Sequence, residues 1–142
     1  MEATHDGRRS GHPAPCLAHF PAYGLGVKTL FILNDAPYGT EKSYNGLRLA
    51  LALAKLPEHQ IRIFLMADAV FCGKRGQKTP EGYYNVERML RGCATKRIEI
   101  GACTSCADAR GVADAEFIDG VRRSTMAELA EWTVAADKVL VW

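Results

Sequence analysis

Lys96-Arg97-Ile98-Glu99-Ile100-Gly101-Ala102-Cys103-Thr104-Ser105-Cys106-Ala107-Asp108-Ala109-Arg110-Gly111 reads as a strand that ends in a turn, with a short helix opening behind it. The strand is held by residues 96–101, and two thiols three apart follow it. A thiol at a helix N-terminus faces unpaired backbone N–H groups and the positive end of the helix dipole. Both favour thiolate over thiol, and the thiolate is the nucleophile. Cys103, just outside the helix, is expected to be the more exposed sulfur and to ionise below the ~8.5 of a free thiol. This stretch therefore suggests sulfur chemistry, and its strand-then-helix order sets the pattern for the rest of the chain.

Outward from it, the same alternation repeats. Val27 to Leu33 and Ile61 to Met66 are continuous apolar runs that predict buried strands, with a short strand near Gly120 to Arg123 and a last one from Lys138 to Trp142. Between the first two, Thr40 is placed to cap a helix carrying Leu47, Ala50, Leu51 and Ala54 on one face, ended by Pro57. Residues 69–78 read as a loop. Thr79-Pro80-Glu81 is a helix-start signal, and the helix behind it would bury Val86, Met89, Leu90 and Cys93. Thr125-Met126-Ala127-Glu128 has the form of a capping box opening the final helix. Alternating β and α segments with unbroken apolar strands imply a parallel sheet covered on both faces, a three-layer α/β/α sandwich.

Composition narrows the function classes. The 142 residues suffice for one domain, and a net charge of +2 imposes no nucleic-acid or membrane partner. No apolar run approaches the ~20 residues of a membrane helix. Five cysteines, an odd number, point to a reducing compartment, so cytoplasmic residence is the expectation. Residues 1–26 carry His5, His12, His19 and Cys16 without periodicity and read as a flexible leader, so residues 27–142 form the single folded domain.

Ligands of an open parallel sheet bind beyond the carboxyl ends of its strands. The first strand brings Asn34 and Asp35 to that rim, the second Asp68, the third Cys103, whatever the strand order. Cys72, in the loop after the second strand, is a candidate second sulfur at the same rim, and Arg110 is a candidate source of positive charge or a cap for the short helix. Asp35 and Asp68 read either as rim acids or, ahead of that, as residues that hydrogen-bond backbone at the strand ends. The cysteine pair has three other readings: half a structural zinc site, a thioredoxin-type dithiol, or two inert buried thiols. Zinc lacks a second C-x-x-C or a paired histidine in the folded region, and the thioredoxin motif follows the first strand of its domain rather than the third. No metal and no organic cofactor is expected. The loop Gly73 to Thr79 fails as a phosphate loop, because Gln77 stands before Lys78 and Pro80 follows at once. It reads as a mobile flap or a subunit contact.

A set of ordered stretches then carries a resemblance: Asn34 to Gly39 (NDAPYG), Asn45 to Ala50 (NGLRLA), Phe64 to Val70 (FLMADAV), Arg75 to Lys78 (RGQK), Glu81 to Tyr83 (EGY), C-x-x-C-x-x-x-R-G over 103–111, Ile118 to Val121 (IDGV) and Ala136 to Leu140 (ADKVL). Together they resemble the DsrE/YchN-like family of sulfur-relay proteins, the YchN branch above all. The resemblance implies a five-stranded parallel sheet and a homo-oligomer, a trimer or a hexamer of two trimers. It also implies a sulfur-carrier or sulfurtransferase-like role with donor and acceptor proteins as partners. The family's sulfur-carrying cysteine stands eight residues before the glycine of an Arg-Gly pair, which falls here on Cys103. Cys106 replaces a small apolar residue of the relay subunits, and resolving the Cys103 persulfide is a role open to it. Two other functions stay open: a non-catalytic oligomeric module binding a small anion or a partner, and a Cys103/Cys106 dithiol redox protein.

Overall fold

Three interior runs, residues 28–33, 60–65 and 99–103, bury side chains on both faces of one sheet, and two shorter, more exposed runs, 121–124 and 138–141, pair at its edges. In the computed structural model, which describes residues 26–142, they are β1 (Lys28–Leu33), β2 (Gln60–Leu65), β3 (Glu99–Cys103), β4 (Val121–Ser124) and β5 (Lys138–Val141). The order is β4-β3-β2-β1-β5 and every pairing is parallel. The leader expected over residues 1–26 lies, Gly26 apart, outside the described residues, as do His5, His12, His19 and Cys16.

Alternation along the strands divides the core. Phe31, Leu33, Ile63, Leu65 and Ile100 meet Leu47 and Ala50 of α1 (Lys42–Leu53) and Val86, Leu90 and Cys93 of α2 (Val86–Thr95). On the other face Leu30 and Phe64 meet Leu129 and Trp132 of α4 (Met126–Ala135), with the Phe64 and Trp132 rings edge-on at 6.0 Å. The chain steps outward from β1 to β4 with α1 and α2 on one face. It then returns past β1 to β5 with α4 on the opposite face, as crossovers of a single hand require. Among the described residues no helix is long and apolar enough to cross a membrane.

Local bonding departs from the sequence expectations at four places. Thr40 does not cap α1, whose N-cap position is held by Glu41; its hydroxyl instead donates to Asp35 Oδ2 at 2.9 Å. α2 starts at Val86, not behind Thr79-Pro80. Asn85 caps it by accepting from the Arg88 N–H at 2.9 Å, while Gly82 at φ +84° turns the chain before it. Residues expected as loop after β2 form a 3₁₀ helix, Ala67–Gly73. Thr125 caps α4 through the Glu128 N–H, but the Glu128 carboxylate is drawn off by Arg122 and by the Ser124 hydroxyl at 2.5 Å, so the reciprocal half of the capping box is not made.

The Gly73–Thr79 loop, expected as a flap or a subunit contact, is hydrogen-bonded to the body of the domain. The Gln77 side chain donates to the carbonyls of Phe71, Cys72 and Lys74 at 2.9–3.2 Å and accepts from the Tyr38 hydroxyl at 2.7 Å. One amide thereby satisfies a whole turn of backbone and anchors it on the first βα connection.

Candidate functional site

β3 ends at Cys103, and α3 (Thr104–Ala109) starts at the next residue, so Cys103 is the residue flanking the helix. Its position is set from β4. The Thr104 hydroxyl donates to the Ser124 carbonyl at 2.9 Å, and Arg123 reaches across to the Thr104 and Val112 carbonyls and to Asp108 and Asp114. Gly101 permits this close pairing: a Cβ there would lie 2.9 Å from the Ser124 Cβ and 3.3 Å from the Phe64 ring.

Cys103 is 3% exposed and packs with Phe64, Leu129 and Trp132, whereas Cys106 is half-buried. The expected order of exposure is therefore reversed. β3 is an interior strand, and its last side chain still lies beneath α4, while Cys106 is carried outward by the first turn of α3. Burial opposes the Cys103 thiolate most strongly. The Ser105 hydroxyl at 3.3 Å, the Cys106 N–H and thiol and the Ser105 N–H nevertheless bring the thiol below its ordinary value. The Cys106 thiol moves up, first through burial and then through its hydrogen bond to Cys103. The two sulfurs are thus pushed apart in acidity, as an attacking and a waiting thiol would be.

Cys106 has a second neighbour set. The Ala67 N–H, at the start of the 3₁₀ helix, donates to Cys106 Sγ at 3.2 Å. The next residue, Asp68, takes the Arg110 guanidinium on one oxygen, with Nε and Nη2 both at 2.8 Å. Arg110 also donates to the Cys106 carbonyl at 3.2 Å. Cys103, Cys106, Asp68 and Arg110 therefore form one cluster on the carboxyl rim.

The other rim candidates are placed elsewhere. The Asn34 side chain and N–H both donate to the Trp142 carbonyl, at 3.3 and 2.8 Å, tying β1 to the end of β5. Asp35 organises the turn into α1. Its carboxyl is held below the ordinary value by the Thr40 hydroxyl and then by Lys42 at 3.3 Å, and its carbonyl accepts from the Ser43 hydroxyl at 2.6 Å. Cys72 is buried in the 3₁₀ helix against that same carbonyl, and burial pushes its thiol up to about 12, which removes it as a sulfur at the rim. Cys93 lies in the core as expected, its thiol likewise pushed up to about 12 by burial.

Sequence reasoning passed over Ser105, Arg123 and the Ala67 N–H. Ser105 was legible, standing between the two cysteines; a backbone N–H has no sequence signal. Among the described residues no three His, Cys, Asp or Glu side chains gather as a metal site. Two clefts, of about 160 and 250 Å³, open at the opposite end of the sheet, lined by residues such as Lys28, Gln60, Trp132 and His59, Lys96, Glu99. Neither touches the cysteines.

Against known proteins, residues 27–142 match the DsrE/DsrF-like family. Protein YchN of Escherichia coli is 45% identical over 116 residues, which span 81% of this chain and 98% of that protein. An uncharacterised protein of Methanopyrus kandleri is 38% identical over 117 residues, 82% of this chain and 94% of that one. The crystal structure of the E. coli YchN protein superposes with a TM-score of 0.78 at 44% identity, covering 82% of this chain and 99% of that one.

Proposed function

This chain belongs to the DsrE/DsrF-like family, and from that membership and its thiol pair we propose that it is a sulfur carrier that accepts sulfane sulfur on Cys103 and relays it to an acceptor thiol. One observation carries the reading: of the four described cysteines, Cys103 alone is set below the ordinary thiol value, by donors that converge on its sulfur. In the loading step the Cys103 thiolate attacks the outer sulfur of a donor persulfide. The new bond joins Cys103 Sγ to that sulfur, the donor's S–S bond breaks, and the donor leaves as a thiolate that takes up a proton. In the relay step an acceptor thiolate attacks the same outer sulfur and Cys103 leaves as thiolate. These steps balance with two protein thiols and a donor, without an organic cofactor, and suit a reducing, cytoplasmic setting.

The placement of Cys103 at the end of β3 and of Cys106 three residues on, in the first turn of α3, favours a second reading, a dithiol redox protein cycling through a Cys103–Cys106 disulfide. Intact mass after incubation with a sulfane-sulfur donor separates the two. The carrier gains one sulfur, on Cys103, and Cys103→Ser loses that gain while keeping its fold. A measurable disulfide potential without any sulfur gain would replace the carrier reading by the redox one.

The proposal extends to assembly, a homo-oligomer of trimer or hexamer type meeting donor and acceptor proteins at the cysteine rim. Support comes from Val134, Val139 and Val141, which are 89%, 39% and 65% exposed along the last helix and the edge strand after it. Light scattering giving only monomer at micromolar concentrations would remove this part.

A further inference from the structure

Around Cys106 the hydrogen bonds close into a circuit. The Ala67 N–H holds the sulfur, Asp68 follows Ala67 in the chain, Asp68 grips Arg110, and Arg110 holds the Cys106 carbonyl. Two adjacent residues of one element thus fix both ends of a residue of another. Ala67, whose N–H meets the sulfur, sits at φ +44°, in the left-handed region that an alanine adopts only at a cost. The clasp is an ion pair between a 58% exposed carboxylate and a 27% exposed guanidinium, a type that adds little to global stability. Its geometry is better explained by what it aims than by what it stabilises.

We propose that Asp68 and Arg110 are positioning residues that aim the Ala67 N–H at Cys106 Sγ and so prepare Cys106 to attack the persulfide on Cys103. This rests on the carrier reading above and adds the means by which the second cysteine is brought into play. In the step, the Cys106 proton passes to solvent and the Cys106 thiolate attacks Cys103 Sγ. The Cys103–Cys106 disulfide forms, the bond from Cys103 Sγ to the outer sulfur breaks, and that sulfur leaves with the electron pair as hydrosulfide. No added oxidant is required, since the persulfide sulfur is itself reduced. The titratable and charged groups facing Cys106 are the Cys103 thiol, Arg110 at the end of its own helix, and Asp68 from the 3₁₀ helix packed on it. A hydrogen bond aimed at the sulfur helps the thiolate more than the thiol, because charge strengthens it.

The test is the pH profile of Cys106 alkylation by iodoacetamide, read peptide by peptide by mass spectrometry on the full, unloaded chain. Losing the Asp68 carboxylate charge by itself favours the Cys106 thiolate, so a lost aim of the Ala67 N–H has to outweigh it. Asp68→Asn should still move the Cys106 midpoint upward and slow its alkylation at neutral pH about threefold or more, leaving the Cys103 profile nearly in place. Arg110→Lys keeps the charge but loses the fork, and should behave like Asp68→Asn. Sulfide release from sulfur-loaded protein should fall in parallel. An unchanged Cys106 profile in both variants, or full rescue by Arg110→Lys, overturns the positioning role. A wild-type chain that takes up no sulfur overturns the carrier reading instead, and the alkylation profile still decides the clasp.

Discussion

Cys93 and Cys103 are both almost fully buried, yet their thiols shift in opposite directions. Cys93 faces the apolar packing between α2 and the sheet, where only the charge of Lys96 opposes the loss of water, and its thiol is pushed up to about 12. Cys103 loses water too, but it sits where a strand gives way to a helix and meets the Ser105 hydroxyl, two backbone N–H groups and a second thiol. Burial by itself silences a thiol. Burial beside aimed donors makes a nucleophile, and only a chain turn at the strand's end supplies so many donors.

The sharpest way to break this comparison is competitive alkylation at neutral pH. With one thiol near 12 and the other below 9.0, the thiolate fraction at Cys103 exceeds that at Cys93 by on the order of a thousandfold. Site-resolved mass spectrometry should find Cys103 modified long before Cys93 or Cys72; comparable rates would abolish the distinction.

Alkaline unfolding sharpens the buried side. Cys72 and Cys93 are raised from an ordinary 9.0 to about 12 in the fold. Between those values the unfolded chain has released protons that the folded chain retains. Unfolding then leaves fewer protons bound, so stability is full below about pH 9 and falls as pH rises toward 12, by several kcal/mol across the window. Urea melts from pH 8 to 10.5 should show the fall, and Cys93→Ala should flatten its slope; an equal slope in the variant would mean that Cys93 ionises without resistance.

The smallest effect isolates one donor. Ser105→Ala removes the strongest of the groups that favour the Cys103 thiolate, so its alkylation midpoint should rise and its neutral-pH rate fall about three- to tenfold. An unchanged rate would assign the effect to the backbone N–H groups and the Cys106 thiol.

Much of this contrast was legible in the residues. Unbroken apolar runs between helix periodicities can satisfy both faces only in a covered parallel sheet, so strand identity and layer order followed from pattern. Cys93 fell on a helix's apolar face and Cys103 at a strand's end for the same reason. The start of α2 was not legible, because Thr79-Pro80-Glu81 carries the local signals of a helix start. Gln77 and Asn85 overrule them: the Asn85 side chain donates to the Gln77 carbonyl, and the Gln77 N–H donates to the Glu87 carboxylate. The Asn34, Asp35 and Cys72 placements were hidden likewise. Sharing the carboxyl rim says nothing about which side chains turn inward to close the βα connections.

Sequence alone therefore determined what depends on period and on neighbours along the chain: five strands, the helices between them, and a thiol at a strand-to-helix turn. Tertiary structure decided what depends on neighbours across it. It placed α4 on the sheet face that carries Cys103, so that Cys103 is covered while Cys106 stays half-buried. It brought Ala67 and Asp68, 39 and 42 residues away, onto Cys106 and Arg110. Hydrogen bonds act over about 3 Å, and no spacing in a sequence tells which backbone N–H will arrive within that distance of a sulfur.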